Sequence, residues 1–140
     1  MPREKPAVRP RDIIRGRRTA AFLGALLGGA GVLHMISPEH FDRIVPPAPP
    51  GPARGYTYAS GVAELGVAGL LAVPRTRRLG GLAAEALFVA VFPANVQMAY
   101  DWRHDSPRRR AIACGRLPLQ GLLIAQALHV ARGAARIQAR

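Results

Sequence analysis

The chain has 140 residues, room for one small domain, and 49% of them are apolar although the net charge is +12. A soluble domain scatters its charges so that every helix has a wet face; here they gather at the ends of four apolar stretches, which excludes an ordinary water-soluble enzyme and a disordered basic tail. The single Cys114 excludes an internal disulfide, a CxxC redox pair and a cysteine zinc site.

In chain order, residues 1–18 form a basic arm carrying Arg3, Lys5, Arg9, Arg11, Arg15, Arg17 and Arg18. From Thr19 to Pro38, twenty residues carry no acid or base. This length of apolar helix crosses a bilayer core of about 30 Å. Within it, Gly24 and Gly28 form a GxxxG pair, with Gly29 and Gly31 nearby, which predicts close packing against another helix. The run is long for a cleaved signal peptide and is not followed by a clear small-residue cleavage site. The first connection holds Pro46-Pro47-Ala48-Pro49-Pro50-Gly51-Pro52, expected to form a stiff extended strap or a docking ligand.

The second apolar stretch, between Arg54 and Arg75, is interrupted only by Glu64. The third, Leu79 to Tyr100, is interrupted only by Glu85 and contains Pro93. A basic third connection follows with Arg103, Arg108, Arg109, Arg110 and Arg116. The last stretch, Leu117 to Ala131, extends toward Ile137 if Arg132 snorkels, with Pro118 expected in its first turn. Strands would need to close into a barrel, and the alternation that requires is missing. The expectation is an all-α, four-helix transmembrane domain over 19–135, with spans at about 19–37, 57–74, 79–100 and 117–135. The arginines of the arm, of the second connection and of the C-terminus place both termini in the cytoplasm; the basic third connection does not fit this rule. Tyr56, Tyr58, Tyr100 and Trp102 read as interfacial anchors at one end. Nucleic acid is not the expected partner, because the basic residues follow the topology and have no interleaved aromatics.

Polar side chains inside the spans are costly and need partners. With a rise of about 1.5 Å per residue and alternating spans, His34, Glu64, Asn95, Gln97 and Gln120 fall at about the same depth, in the outer third of the bilayer, with Arg116 just above. Pro93 frees a carbonyl near Val89 for an external donor. Arg116 is expected to pair with Glu64 or to present its guanidinium to a ligand. Three readings stay open: a structural ion pair, a small-molecule pocket and a proton path. A second, weaker pair is Glu85 with His129, read mainly as structural. No metal site is expected, and His34 and His129 lie too far apart in depth to share a haem.

Ser60-Gly61-x-x-Glu64-x-Gly66, Pro74-x-x-Arg77-Arg78-Leu79, Phe92-Pro93-Ala94-Asn95-x-Gln97-Met98 and Arg116-Leu117-Pro118-Leu119-Gln120 together resemble the DoxX-like family of small bacterial membrane proteins. His34 and the stretch from Phe41-Asp42 to Pro46-Pro47 are similar to that family's first span and loop. The resemblance implies a multi-pass protein of the bacterial plasma membrane, with relatives linked to quinol oxidase, thiosulfate:quinone oxidoreductase and oxidative-stress complexes. Two functions follow as expectations. One is an accessory component that binds a quinone or small amphiphile through His34, Glu64, Asn95, Gln97, Arg116 and Gln120, with a redox partner protein supplying electrons. The other is a non-catalytic scaffold or assembly subunit whose polar cluster only holds its helices together. A homo-oligomer is a further expected partner arrangement. No catalytic residue is assigned.

Overall fold

The computed structural model describes residues 9–45 and 50–138, all of it helix and connection with no strand among them. Helix α1 spans Pro10–Ile36, a short α2 spans Glu39–Asp42, α3 spans Ala53–Ala72 and α4 spans Arg77–Asp101. A single 3-10 turn, Trp102–His104, leads into α5, Pro107–Gln138. Most of the proline strap, residues 46–49, and the ends of the chain lie outside the described residues. Its last part, Pro52, stands in extended conformation at the start of α3.

The helices start and stop for local reasons. Pro10 opens α1, because the first turn has no use for its missing N–H. The helix therefore runs about 13 Å into the basic arm before the apolar stretch begins at Thr19. At the far end of α3, Val73 turns extended ahead of Pro74. The Thr76 hydroxyl then donates to the Leu70 carbonyl at 2.9 Å, and Arg77 Nε donates to that of Leu71 at 3.1 Å. These side chains satisfy carbonyls that a helix end leaves free. The turn is tight enough that a Cβ on Gly80 would lie 2.8 Å from the Leu70 and Leu71 backbone.

Helix α5 departs most from expectation. It begins at Pro107, ten residues before Leu117, so Arg108, Arg109, Arg110 and Arg116 are helical, not a loop. Pro118 is correspondingly inside the helix and not in its first turn. The cause is the Ser106-Pro107 pair, a cap residue followed by proline at the first helical position. The Ser106 carbonyl already accepts the Arg110 N–H at 3.0 Å.

The long helices pack α1 on α3, α3 on α4, α4 on α5 and α5 back on α1. Leu23, Leu27, Val67, Leu71, Ala84, Phe88, Leu123, Ala127 and Val130 form the interior. Large apolar side chains also point outward in number, among them Phe22, Leu26, Leu33, Val62, Leu82, Val89 and Leu122. An exterior this apolar is what lipid tails tolerate and water does not. Helix α1, α4 with its 3-10 extension, and α5 are each long and apolar enough to cross a membrane. Helix α3 has the length but falls short in hydropathy, because Arg54, Tyr56, Thr57, Tyr58 and Ser60 crowd its first half and Glu64 follows. Two of those polar groups, Thr57 and Glu64, are buried, while Arg54, Tyr56 and Tyr58 are exposed.

Candidate functional site

The short turns between α3 and α4 and between α4 and α5 bring the end of α1, the start of α3, the end of α4 and the start of α5 to one end of the molecule. Every buried polar side chain of the described residues lies toward it: His34, Thr57, Glu64, Asn95 and Gln120. They do not form one cluster. They divide between two helix interfaces, and among the described residues no hydrogen bond or ion pair crosses from one set to the other.

The first set sits where α1 and α3 run closest. A Cβ on Gly31 would lie 2.9 Å from the Gly61 carbonyl, and one on Gly61 would lie 2.9 Å from His34 Cβ. Gly24 and Gly28, expected as the packing motif, do face Ala68, but at an ordinary 3.7 Å, while Gly29 faces open space. The glycine-lined approach sets His34 against Glu64. His34 Nδ1 lies 2.8 Å from the Ala30 carbonyl one turn earlier. A carbonyl only accepts, so Nδ1 carries the hydrogen in that bond. Glu64 Oε2 lies 3.0 Å from the same nitrogen, within ion-pair distance. It is buried and has no hydrogen-bond partner, because the Nδ1 proton is aimed along the helix at Ala30. Both side chains keep 11% exposure, so the pair meets the surface at its edge.

Helix α2 closes over this pair. Phe41 stacks on the His34 ring, with centroids 3.7 Å apart and planes inclined by 25°. Asp42 next to it accepts the Thr57 hydroxyl at 2.6 Å and Arg54 Nε at 2.7 Å, tying α2 to the first turns of α3. The Thr57 hydroxyl first, and the Arg54 guanidinium after it, hold the Asp42 carboxyl below its ordinary range. Sequence reasoning on the residues did not assign Thr57, Asp42 or Arg54 a role, and Phe41-Asp42 entered only through the family resemblance. The available signal was an aromatic–acid pair placed just after a span that ends in histidine.

The second set lies between α4 and α5. Asn95 Nδ2 donates to Gln120 Oε1 at 3.1 Å, and Gln120 Nε2 donates to the Phe88 carbonyl. The carbonyl that Pro93 deprives of its helical donor is that of Val89, but the one that accepts Gln120 is Phe88, one residue earlier, so this bond does not depend on the proline. The close approach of these two helices lies at their other end, about 21 Å along α4, where a Cβ on Gly81 would lie 2.7 Å from the Ala131 nitrogen.

Two expected members of the site are elsewhere, and the second expected pair does not form. Arg116 is exposed and makes no ion pair with Glu64. It lies on α5, whereas Glu64 is held by α1. Gln97 is exposed and donates to Asp101 at 2.8 Å, because two residues along a helix from buried Asn95 lies on nearly the opposite face. Glu85 is half-buried and His129 exposed, and no bond joins them. Among the described residues, no three His, Cys, Asp or Glu side chains gather at one point.

A family model described as Domain of unknown function (DUF8561) matches residues 23–131, most of the chain and all five buried polar residues. The chain belongs to that family. No curated protein and no solved structure matches it. The matched range begins after the arginine-rich first turns of α1, so the helix contacts and the His34–Glu64 pair fall inside the family domain.

Proposed function

We propose that this chain is a bacterial plasma-membrane protein that crosses the bilayer four times with both termini in the cytoplasm. Its His34–Glu64 pair binds the polar head of a quinone or similar small amphiphile, as an accessory to a redox partner protein. The observation that carries this reading is the Glu64 oxygen, buried without a donor, beside an imidazole whose Nε2 has no partner among the described residues. A buried carboxylate without hydrogen bonds is costly. A hydroxyl or carbonyl head group at the exposed edge of the pair relieves that cost, donating to Glu64 or accepting from a protonated imidazole. Phe41 adds an aromatic wall. The resemblance to the DoxX-like family supports the same class of ligand, and the chain's own residues supply proton donors and acceptors but no electron carrier.

The scaffold reading is favoured at the other interface. Asn95, Gln120 and the Phe88 carbonyl satisfy one another, which is what interhelical glue requires. We therefore assign Asn95 and Gln120 to structure and His34 and Glu64 to binding. Mass spectrometry of gently solubilised protein is expected to find co-extracted quinone, lost in Glu64→Gln and retained in Asn95→Leu. Retention in Glu64→Gln removes the site assignment. For topology, Ser106→Cys on a Cys114→Ala background is expected to react with an impermeant thiol reagent in intact spheroplasts. Labelling only after lysis reverses the orientation.

A further inference from the structure

The opposite end of α1 carries a surface with a different chemistry. Arg11, Arg15, Arg18, Phe22 and Leu26 follow one another at steps of four, three, four and four residues, which keeps them on one side of the helix. Arg11, Arg15 and Arg18 line a shallow hollow with Ile14 and Thr19. The Thr19 hydroxyl is turned back to the Arg15 carbonyl at 3.0 Å and adds no donor to the hollow. Below it, Phe22 is 58% and Leu26 40% exposed. Among the described residues none of the three arginines has a carboxylate partner. At the far end of the molecule three arginines are matched, Arg54 by Asp42, Arg109 by Asp105, and Arg103 by the Tyr100 ring at 3.8 Å.

We propose that this face of α1 binds an anionic phospholipid, its phosphate held by Arg11, Arg15 and Arg18 and its acyl chain lying along Phe22 and Leu26. Guanidinium forks match phosphate oxygens. The change from charged to apolar takes place between Arg18 and Phe22, about 6 Å along the helix, as it does between a phospholipid's head group and its chains. A zwitterionic lipid brings its own ammonium to compete with the arginines. An acidic protein segment meets the charge and leaves Phe22 and Leu26 uncovered. The site is independent of the His34–Glu64 pair, which lies about 24 Å further along the same helix.

The test uses the full chain, purified in mild detergent and mixed with phosphatidylglycerol or with phosphatidylcholine of the same acyl chains, read by native mass spectrometry. Phosphatidylglycerol is expected to stay bound and phosphatidylcholine to dissociate. In Arg11→Gln/Arg15→Gln/Arg18→Gln, retention is expected to fall about fivefold for each arginine removed. In Arg78→Gln/Arg132→Gln/Arg136→Gln, which removes the same charge from exposed positions on α4 and α5, it is expected to be unchanged. Phe22→Ser lowers retention with the arginines intact. Equal retention of the two lipids by the unaltered protein overturns the proposal, and so does unchanged retention in the α1 triple variant or an equal loss in the control. Binding of a polyglutamate peptide that Phe22→Ser leaves unaffected, with no preference between the lipids, assigns the face to an acidic protein instead.

Discussion

The α1–α3 and α4–α5 interfaces are built alike and serve different ends. Each is an antiparallel helix pair drawn together by glycine, Gly31 with Gly61 in one and Gly81 against Ala131 in the other. Each buries a polar pair toward the same end of the molecule. The α4–α5 pair consists of two amides that share a hydrogen bond and hand another to the Phe88 carbonyl. The α1–α3 pair is titratable, leaves a carboxylate oxygen without a donor, and is covered by a separate short helix. Lying toward the same end of the molecule thus does not make one site. The face each side chain occupies decides which neighbours it meets, and what it leaves unsatisfied decides whether it has chemistry to offer.

The strongest way to break the likeness is to pry each pair apart. Gly81→Val drives a side chain into backbone alone, 2.7 Å from the Ala131 nitrogen, and Gly31→Val drives one into the Leu65 side chain at 2.8 Å and the Gly61 carbonyl at 2.9 Å. Overpacking of this kind costs about 3 kcal/mol or more, and both variants are expected to lose their cooperative thermal transition in detergent. A lesser and more selective change is His34→Leu, which strands Glu64. Removing one partner of a buried pair costs about 3 kcal/mol, and adding Glu64→Leu is expected to recover most of the melting temperature. A double variant no more stable than the single one shows that Glu64 is not paying a burial cost.

Smaller still is Asn95→Leu, expected to cost about 1 kcal/mol in a reversible unfolding titration and to leave bound quinone unchanged. The smallest effect concerns the cover. The lowered pKa of Asp42 means that its ties to Thr57 and Arg54 are fully present above the ordinary carboxylate pKa and are lost as pH falls through the lowered one. Thr57→Val removes the largest cause, so hydrogen exchange across Glu39–Asp42 is expected to accelerate at a higher pH than in the unaltered chain. An unchanged pH profile shows that Thr57 does not hold α2.

The helices and their polar content were legible because ionisable and amide groups stand out in apolar runs. Rotation was not: depth follows from counting residues, whereas the neighbour of Glu64 depends on how α1 and α3 face each other, and Arg116 and His34 were equally compatible with the count. The close approach at Gly31 and Gly61, rather than at the more conspicuous Gly24 and Gly28, settles that choice. The start of α5 was readable in Ser106-Pro107 but was masked by the arginines after it, which look like a loop when hydropathy alone marks a span. Helix α3 shows the same limit, since Thr57 and Glu64, turned inward, lower its hydropathy without adding to the surface it presents.

The most direct measurement compares bound quinone in three purified proteins: the unaltered chain, Glu64→Gln and Asn95→Leu. Loss in Glu64→Gln with full retention in Asn95→Leu is the predicted result. Equal retention in all three, with both variants losing only thermal stability, would show that the two interfaces do the same structural work.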